Sequence, residues 1–290
     1  MTYRNRIFIT LVLMVLAFSG CAPRSRPFIE DIPRPAKNFD LVLVHGLLNK
    51  HRWGPAFLDA CLKIWGSGNV YIVFTSPSPR VWSQTINGRG LIGVGEDDHC
   101  AGTGSLETQT GYLEQAVALL QKDYGLGQQF DVIAHSMGGL ASRRFIYRNP
   151  GVVAGLVTLG TPHHGSPLAE SFGWAGFFLG ARAALDNLRP DFLARFNQAH
   201  PVAGAPLFNN GVIHTIRGGC PEGDCYGWGG ELSMGWDVLK TFYHTDSDGL
   251  VPQDSAVIEG ARHVADFPDF DHYELVLEPG VALKAAEYLP

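Results

Sequence analysis

Apolar positions along this chain recur with two different periods. Short, nearly continuous apolar runs rich in β-branched residues occur at Phe39-Asp40-Leu41-Val42-Leu43-Val44, Val70-Tyr71-Ile72-Val73-Phe74 and Phe130-Asp131-Val132-Ile133. Another lies within Gly151 to Leu159. Such runs are the pattern of strands buried on both faces. Between them the apolar residues take helical spacing. Pro55-Ala56-Phe57-Leu58 opens a helix to about Trp65, stopped by Gly66-Ser67-Gly68. Ser105-Leu106-Glu107-Thr108 starts one running to Tyr124, and Gly139 to Tyr147 reads as another, closed by Asn149-Pro150-Gly151. This alternation predicts an α/β fold: a parallel sheet with helices on both faces. Thr75 to about Thr103 reads as a long loop, and loops of that length carry function or further structure. From Leu168 to about Trp236 the rhythm breaks, with Val212-Ile213-His214-Thr215-Ile216 the clear strand there. Thr241 to Thr245 is expected to resume the sheet, and Pro279 to Tyr288 to close the chain as a helix.

The first twenty residues stand outside this pattern. Arg4 and Arg6 precede an apolar stretch from Ile7 to Phe18 that is too short for an ordinary membrane span, followed by Ser19-Gly20. A positive flank, an apolar centre and small residues read as an export signal. Phe18-Ser19-Gly20-Cys21 resembles a bacterial lipobox, which implies cleavage before Cys21 and a lipid anchor on it. The competing reading is an ordinary signal followed by an incidental cysteine. The prolines of residues 21–38 then look like a stiff tether, leaving 39–290 as one domain with an insertion at about 168–236. The chain's 46% hydrophobic and 17% charged residues suit one large core. The expected location is the bacterial cell envelope, lipid-anchored at the periplasmic or outer face, or secreted.

Charge and cysteines narrow the partners. Loss of residues 1–20 removes two arginines and no acid, moving the net charge from −6 to −8, and no basic cluster suggests nucleic acid. Apart from Cys21, four cysteines remain, an even number that favours disulfides in an oxidising envelope. Cys220 with Cys225 closes a small glycine-rich loop and is the first choice, which leaves Cys61 with Cys100. Zinc finds no CxxC pair or histidine cluster here.

The strongest chemical signal is Ala134-His135-Ser136-Met137-Gly138, lying between an apolar strand and a helix. A serine at a tight strand-to-helix turn exposes its hydroxyl, and small residues two before and two after let the backbone turn. The same serine lies at the positive end of the next helix, where negative charge developing on a substrate is stabilised. A serine hydroxyl needs a histidine to take its proton and a carboxylate to orient that histidine. In a sheet of this kind these follow in the order Ser, Asp, His on later loops. Asp248 fits the acid, with Asp246 its rival two residues earlier; His272 fits the base, with His263 and His244 as alternatives. Donors for an oxyanion are expected at the Met137 N–H and, in the loop after the first strand, at the Leu47 N–H. His45 is expected to shape that loop, and His135 to point away from the triad.

Together Val44-His45-Gly46-Leu47, Ala134 to Gly139, Thr158-Leu159-Gly160-Thr161-Pro162-His163-His164-Gly165-Ser166, Asp248-Gly249-Leu250-Val251 and His272 resemble the bacterial lipases and esterases of the α/β-hydrolase fold. The motifs span residues 40 to 274 in the family's order, with Ala134 in place of the usual first glycine. The resemblance implies Ser136, Asp248 and His272 as a catalytic triad, and Leu47 and Met137 as oxyanion donors. It implies no cofactor, with a structural calcium at Glu274 left open because no convincing second ligand accompanies that residue. Phe172 to Gly180 is unusually aromatic and reads either as a lid over a lipid substrate or as a helix packed on the core. The expected function is hydrolysis of carboxylic esters, with lipid esters as substrates and the membrane as a partner through the anchor. An acyltransferase or thioesterase with the same triad, or a non-catalytic lipid-binding lipoprotein, are the alternatives.

Overall fold

The computed structural model describes residues 36–47, 53–96, 101–171, 180–223, 225 and 230–290. The export signal, Cys21, the tether up to residue 35, Cys100 and nearly all of the aromatic segment 172–179 lie outside the described residues. Among the described residues no helix is long and apolar enough to cross a membrane.

The β-branched runs form the centre of the sheet: β1 (Asp40–Val44), β2 (Val70–Val73), β5 (Phe130–His135) and β6 (Val153–Leu159). Two further strands, β3 (Val81–Ile86) and β4 (Arg89–Val94), and later β7 (Ile213–Gly218) and β8 (Arg262–Phe267), extend it. The order across the sheet is β3-β4-β2-β1-β5-β6-β7-β8, parallel except for the β3–β4 pair. Residues two apart face the same side. In β1, Leu41 and Leu43 pack with α1 (Pro55–Trp65) and the closing helix, while Val42 and Val44 pack with α2 (Leu106–Asp123) and α3 (Met137–Arg148). Burial on both faces is why these strands read as unbroken apolar runs.

Chain order also fixes where a site can form. From β1 the chain crosses to β2 on one side, returns to β5 on the other, and continues outward through β6 to β8. Crossovers therefore diverge between β1 and β5, and the crevice at the carboxyl ends of these strands is where open α/β sheets bind ligands.

Several expectations are corrected. The long loop after Thr75 contains the β3–β4 hairpin, turned by Asn87 and Gly88 with φ of 47° and 78°. Positive φ at both central residues is the type I′ geometry that Asn-Gly favours. Trp82 lies over Gly93, where a β-carbon would come within 2.0 Å of its ring, so the glycine is required by the aromatic cover. Thr241 to Tyr243 is not a strand but the end of α7 (Glu231–Tyr243), whose buried Leu232, Gly235 and Leu239 follow the helical period. His244, in the left-handed region, closes it, and the sheet resumes only at β8. Within the 168–236 insertion, α4 (Leu168–Ser171), α5 (Arg182–Asp186) and α6 (Pro190–Ala199) lie before β7, which itself belongs to the central sheet. The chain ends in α8 (Pro279–Ala286).

Cysteine pairing agrees in one half only. Cys220 and Cys225 form a disulfide, whereas Cys61 is a free thiol sealed inside α1 among core side chains, so the expected pairing with Cys100 is not made. Burial raises the Cys61 pKa far above the usual thiol range and leaves it unreactive.

Asp131, in the middle of the sheet, has both carboxylate oxygens buried. Burial pushes its pKa up to about 8, against the opposing pulls of the Lys37 charge and the Gly155 backbone N–H. Because the folded chain holds a proton there that the unfolded chain releases, stability falls as pH rises towards that value. Folding stability should therefore fall from about pH 4 to about pH 8, with a slope of up to ~1.4 kcal/mol per pH unit, and Asp131→Asn should flatten it. Thermal melts across that window check this; an unchanged slope in the variant would overturn it.

Candidate functional site

β5 runs straight into α3 through Ser136, the N-cap of the helix, at φ 53° and ψ −130°. An L-residue pays steric strain in this region, so the conformation persists only where neighbours enforce it. The Ser136 N–H donates to the Leu159 carbonyl at 2.9 Å, and its own carbonyl accepts from the Gly139 N–H at 3.0 Å and the Thr161 hydroxyl at 2.8 Å. Unlike most serines at this position, Ser136 does not cap the helix with its side chain, so its hydroxyl is left for other work.

Close approach of backbones surrounds this turn. A β-carbon on Gly46 would lie 2.6 Å from the Ser136 β-carbon, and one on Gly138 would lie 2.3 Å from the His45 carbonyl oxygen. On Gly139 it would run into the Thr161 hydroxyl at 2.1 Å. The first turn of α3 is thus pressed against the ends of β1 and β6, with the Met137 N–H at its N-terminus and Leu47 packed against the apolar cluster that contains Met137.

His45 does shape the loop after β1. The Thr75 N–H donates to its Nε2 at 2.8 Å, so Nδ1 carries the proton and donates to the Gly46 carbonyl at 2.6 Å. Burial drives its pKa down to about 4, so the ring is neutral and serves as a fixed strut between the ends of β1 and β2.

On the facing side, His272 Nδ1 donates to Asp248 Oδ2 at 2.7 Å, and both side chains are buried. This bond places the proton on Nδ1 and leaves Nε2 as a lone-pair acceptor, the form a general base needs. The other Asp248 oxygen accepts from the Leu250 and Val251 N–H groups at 3.1 and 2.8 Å, which holds the carboxylate in place. His272 also donates its backbone N–H to the Asp248 carbonyl at 2.9 Å. Gly160 lies beneath the pair, where a β-carbon would fall 2.9 Å from Asp248 Oδ2 and 3.3 Å from His272 Nδ1.

The rivals fall elsewhere. Asp246 is exposed and paired with Lys240 at 2.7 Å. His263 lies on β8, bonded to Thr215 and Asp266, and His244 is the exposed cap of α7. Glu274 accepts the Asp271 N–H through its carboxylate while Asp271 accepts the Glu274 N–H, a reciprocal arrangement of the capping-box kind that fixes the turn carrying His272. Among the described residues no group of three metal-ligating side chains is found.

One placement reverses the sequence expectation. His135 turns toward the base: its Nε2–H donates to the His272 carbonyl at 2.8 Å and the two rings are 4.5 Å apart. Strand alternation is the reason, since His135 shares a face with Ile133, the face covered by Leu275. Thr161 and the buried Arg143 were also missed. Arg143 Nη1 meets His163 Nδ1 at 3.2 Å and donates to Asn197 at 3.0 Å, while Nη2 donates to the His200 carbonyl at 2.6 Å. It ties α3 to the loop after β6 and to α6. Its signal was a charged residue within the apolar stripe of a helix.

Comparison with known proteins agrees with this architecture. The model of the PGAP1-like alpha/beta domain matches residues 94–191, the stretch that includes α2, β5, α3 and β6. Among solved structures, the chain is similar to the metagenomic carboxyl esterase MGS0156, with TM-score 0.63 and 18% identity over 92% of this chain and 79% of that one. It is also similar to the lipase BlEst2 of Bacillus licheniformis in mature form, with TM-score 0.58 and 20% identity over 89% of this chain and 93% of that one. Lipase 1 of Pelosinus fermentans aligns with TM-score 0.51 and 12% identity over 87% and 97% of the two chains. No curated protein matches in sequence. The chain has the α/β-hydrolase fold.

The packing against α3 gives a sharp expectation. Gly138→Ala would force a backbone shift against the His45 carbonyl and should lower stability by about 1–3 kcal/mol. Gly280→Ala, in open space on α8, should be neutral or slightly stabilising. Denaturant titration of both variants distinguishes the two sites.

Proposed function

We propose that this protein is a serine hydrolase that cleaves carboxylic esters, with lipid esters, acylglycerol or phospholipid, as its substrate class. The observation that carries the proposal is a strained Ser136 whose hydroxyl does not cap its helix, next in the chain to His135, whose ring lies 4.5 Å from that of His272 in the buried His272–Asp248 pair. Ser136 Oγ attacks the ester carbonyl while its proton passes to His272 Nε2, and Asp248 stabilises the imidazolium. The Leu47 and Met137 N–H groups hold the oxyanion, aided by the positive end of α3. His272 then gives the proton to the departing alcohol, and water, activated by the same histidine, releases the acid from the acyl-enzyme.

The similar structures named as lipases and a carboxyl esterase support this reading. So does Phe172 to Gly180, which its sequence suits to a lid over an apolar substrate. The lipobox-like Phe18-Ser19-Gly20-Cys21 adds a lipid anchor on Cys21, which would hold the enzyme at a membrane of the cell envelope.

Protein lacking residues 1–21 should react with a fluorophosphonate at Ser136 and hydrolyse p-nitrophenyl esters; absence of labelling would sink the proposal. Activity on short chains alone would restrict it to an esterase. Asp248→Ala should lower kcat by about 10³–10⁴-fold while Asp246→Ala stays near wild type. Equal losses would remove Asp248 from its assigned role. Metabolic labelling with a palmitate analogue should be lost in Cys21→Ser.

A further inference from the structure

We infer that His135, the residue before the nucleophile, is the positioning residue of the catalytic base; this rests on the hydrolase reading above. The backbone of His272 is held at both ends. Its N–H is bound by the acid loop through the Asp248 carbonyl, and its carbonyl by the nucleophile strand through His135 Nε2–H. A carbonyl can only accept, so the proton of that imidazole is on Nε2. The rings lie 4.5 Å apart at an angle of 46°, so His135 also forms a wall against which the base imidazole rests.

The other edge of His135 is confined as well. A β-carbon on Gly46 would be 3.3 Å from His135 Nδ1, so the ring fills the space between the loop after β1 and the turn that carries His272. It is only 7% exposed. Asp248 sets the rotation of the His272 ring about its own side-chain bonds. The Asp248 carbonyl ties the His272 backbone to the acid loop, whereas His135 ties it to the nucleophile itself, being bonded to Ser136 through the peptide chain and to the His272 carbonyl through its Nε2–H. Displacement of a reacting group by about 1 Å can cost a hundredfold in rate, so this contact acts on the chemical step rather than on substrate binding.

Three forms of the protein lacking residues 1–21 test this: wild type, His135→Gln and His135→Leu. Glutamine can place an amide N–H where Nε2–H lies, whereas leucine fills the space without a donor. His135→Leu should lower kcat on a short p-nitrophenyl ester, and the fluorophosphonate labelling rate, by about 10- to 100-fold with KM nearly unchanged. His135→Gln should recover most of that loss. The low-field NMR signal of the His272 Nδ1–H bonded to Asp248 should persist in His135→Gln and broaden in His135→Leu. Should the leucine variant lack a cooperative melt, His135→Asn, whose donor is too short to reach, takes its place. Wild-type kcat in the leucine variant overturns the inference, as does equal loss in the glutamine and leucine forms accompanied by a matching fall in melting temperature. An unreactive wild type whose low-field signal still depends on His135 overturns the hydrolase reading and supports the positioning role.

Discussion

A single backbone conformation organises the functional end of this molecule. Ser136 stands at positive φ between the last residue of a buried strand and the first turn of a helix, and nothing in an isolated peptide would keep it there. It is held because three elements close on it. β6 takes its N–H through Leu159, the Thr161 hydroxyl takes its carbonyl, and the loop after β1 packs against its side chain. Each contact needs the others. Gly46, Gly138 and Gly139 lack side chains at the places where β1, α3 and the loop after β6 would otherwise collide. The register that sets Val44 beside Ala134, and His135 beside Leu159, brings these three loops to a common level.

The polar groups around the turn follow from the same confinement. Buried polar side chains at this turn are held largely by partners within the protein. Asp248 satisfies one oxygen with two backbone N–H groups and the other with His272, leaving a well-directed carboxylate. Its loop is supported from outside. The Cys220 N–H donates to the Ser247 carbonyl directly beside the disulfide, and Gly235 of α7 packs closely on the Gly249 carbonyl. Arg143 is buried and, among the described residues, makes no ion pair with a carboxylate; burial lowers its pKa to about 10, and its guanidinium is spread over a histidine, an asparagine and a carbonyl. That arrangement links the helix behind the nucleophile to α6.

Much of this was legible in the chain itself. The apolar runs of β1, β2, β5 and β6 are buried on both faces, and that burial leaves a direct trace in composition. Asn87-Gly88 marked a hairpin by its turn chemistry, but the polar, exposed residues of β3 hid the strands on either side. Thr241 to Thr245 looked like a strand because its aromatic and β-branched residues suit one locally. The helical spacing from Leu232 to Leu239 prevailed, since α7 needed that face to cover the acid loop. Cys61 and Cys100 were paired by counting alone. Counting ignores that Cys61 points into the core of α1.

The sequence by itself determined the period of each element, the order of serine, acid and histidine, and the glycines at the sharp turns, because these depend on local sterics and on which residues avoid water. Tertiary structure alone decided between Asp246 and Asp248, turned His135 toward His272, and enlisted Thr161 and Arg143. Those outcomes depend on strand register and on the meeting of loops far apart in the chain: His135 and His272 are separated by 137 residues and joined by one hydrogen bond. Local pattern carries no record of such a contact, because the space it fills exists only once the sheet has closed around it.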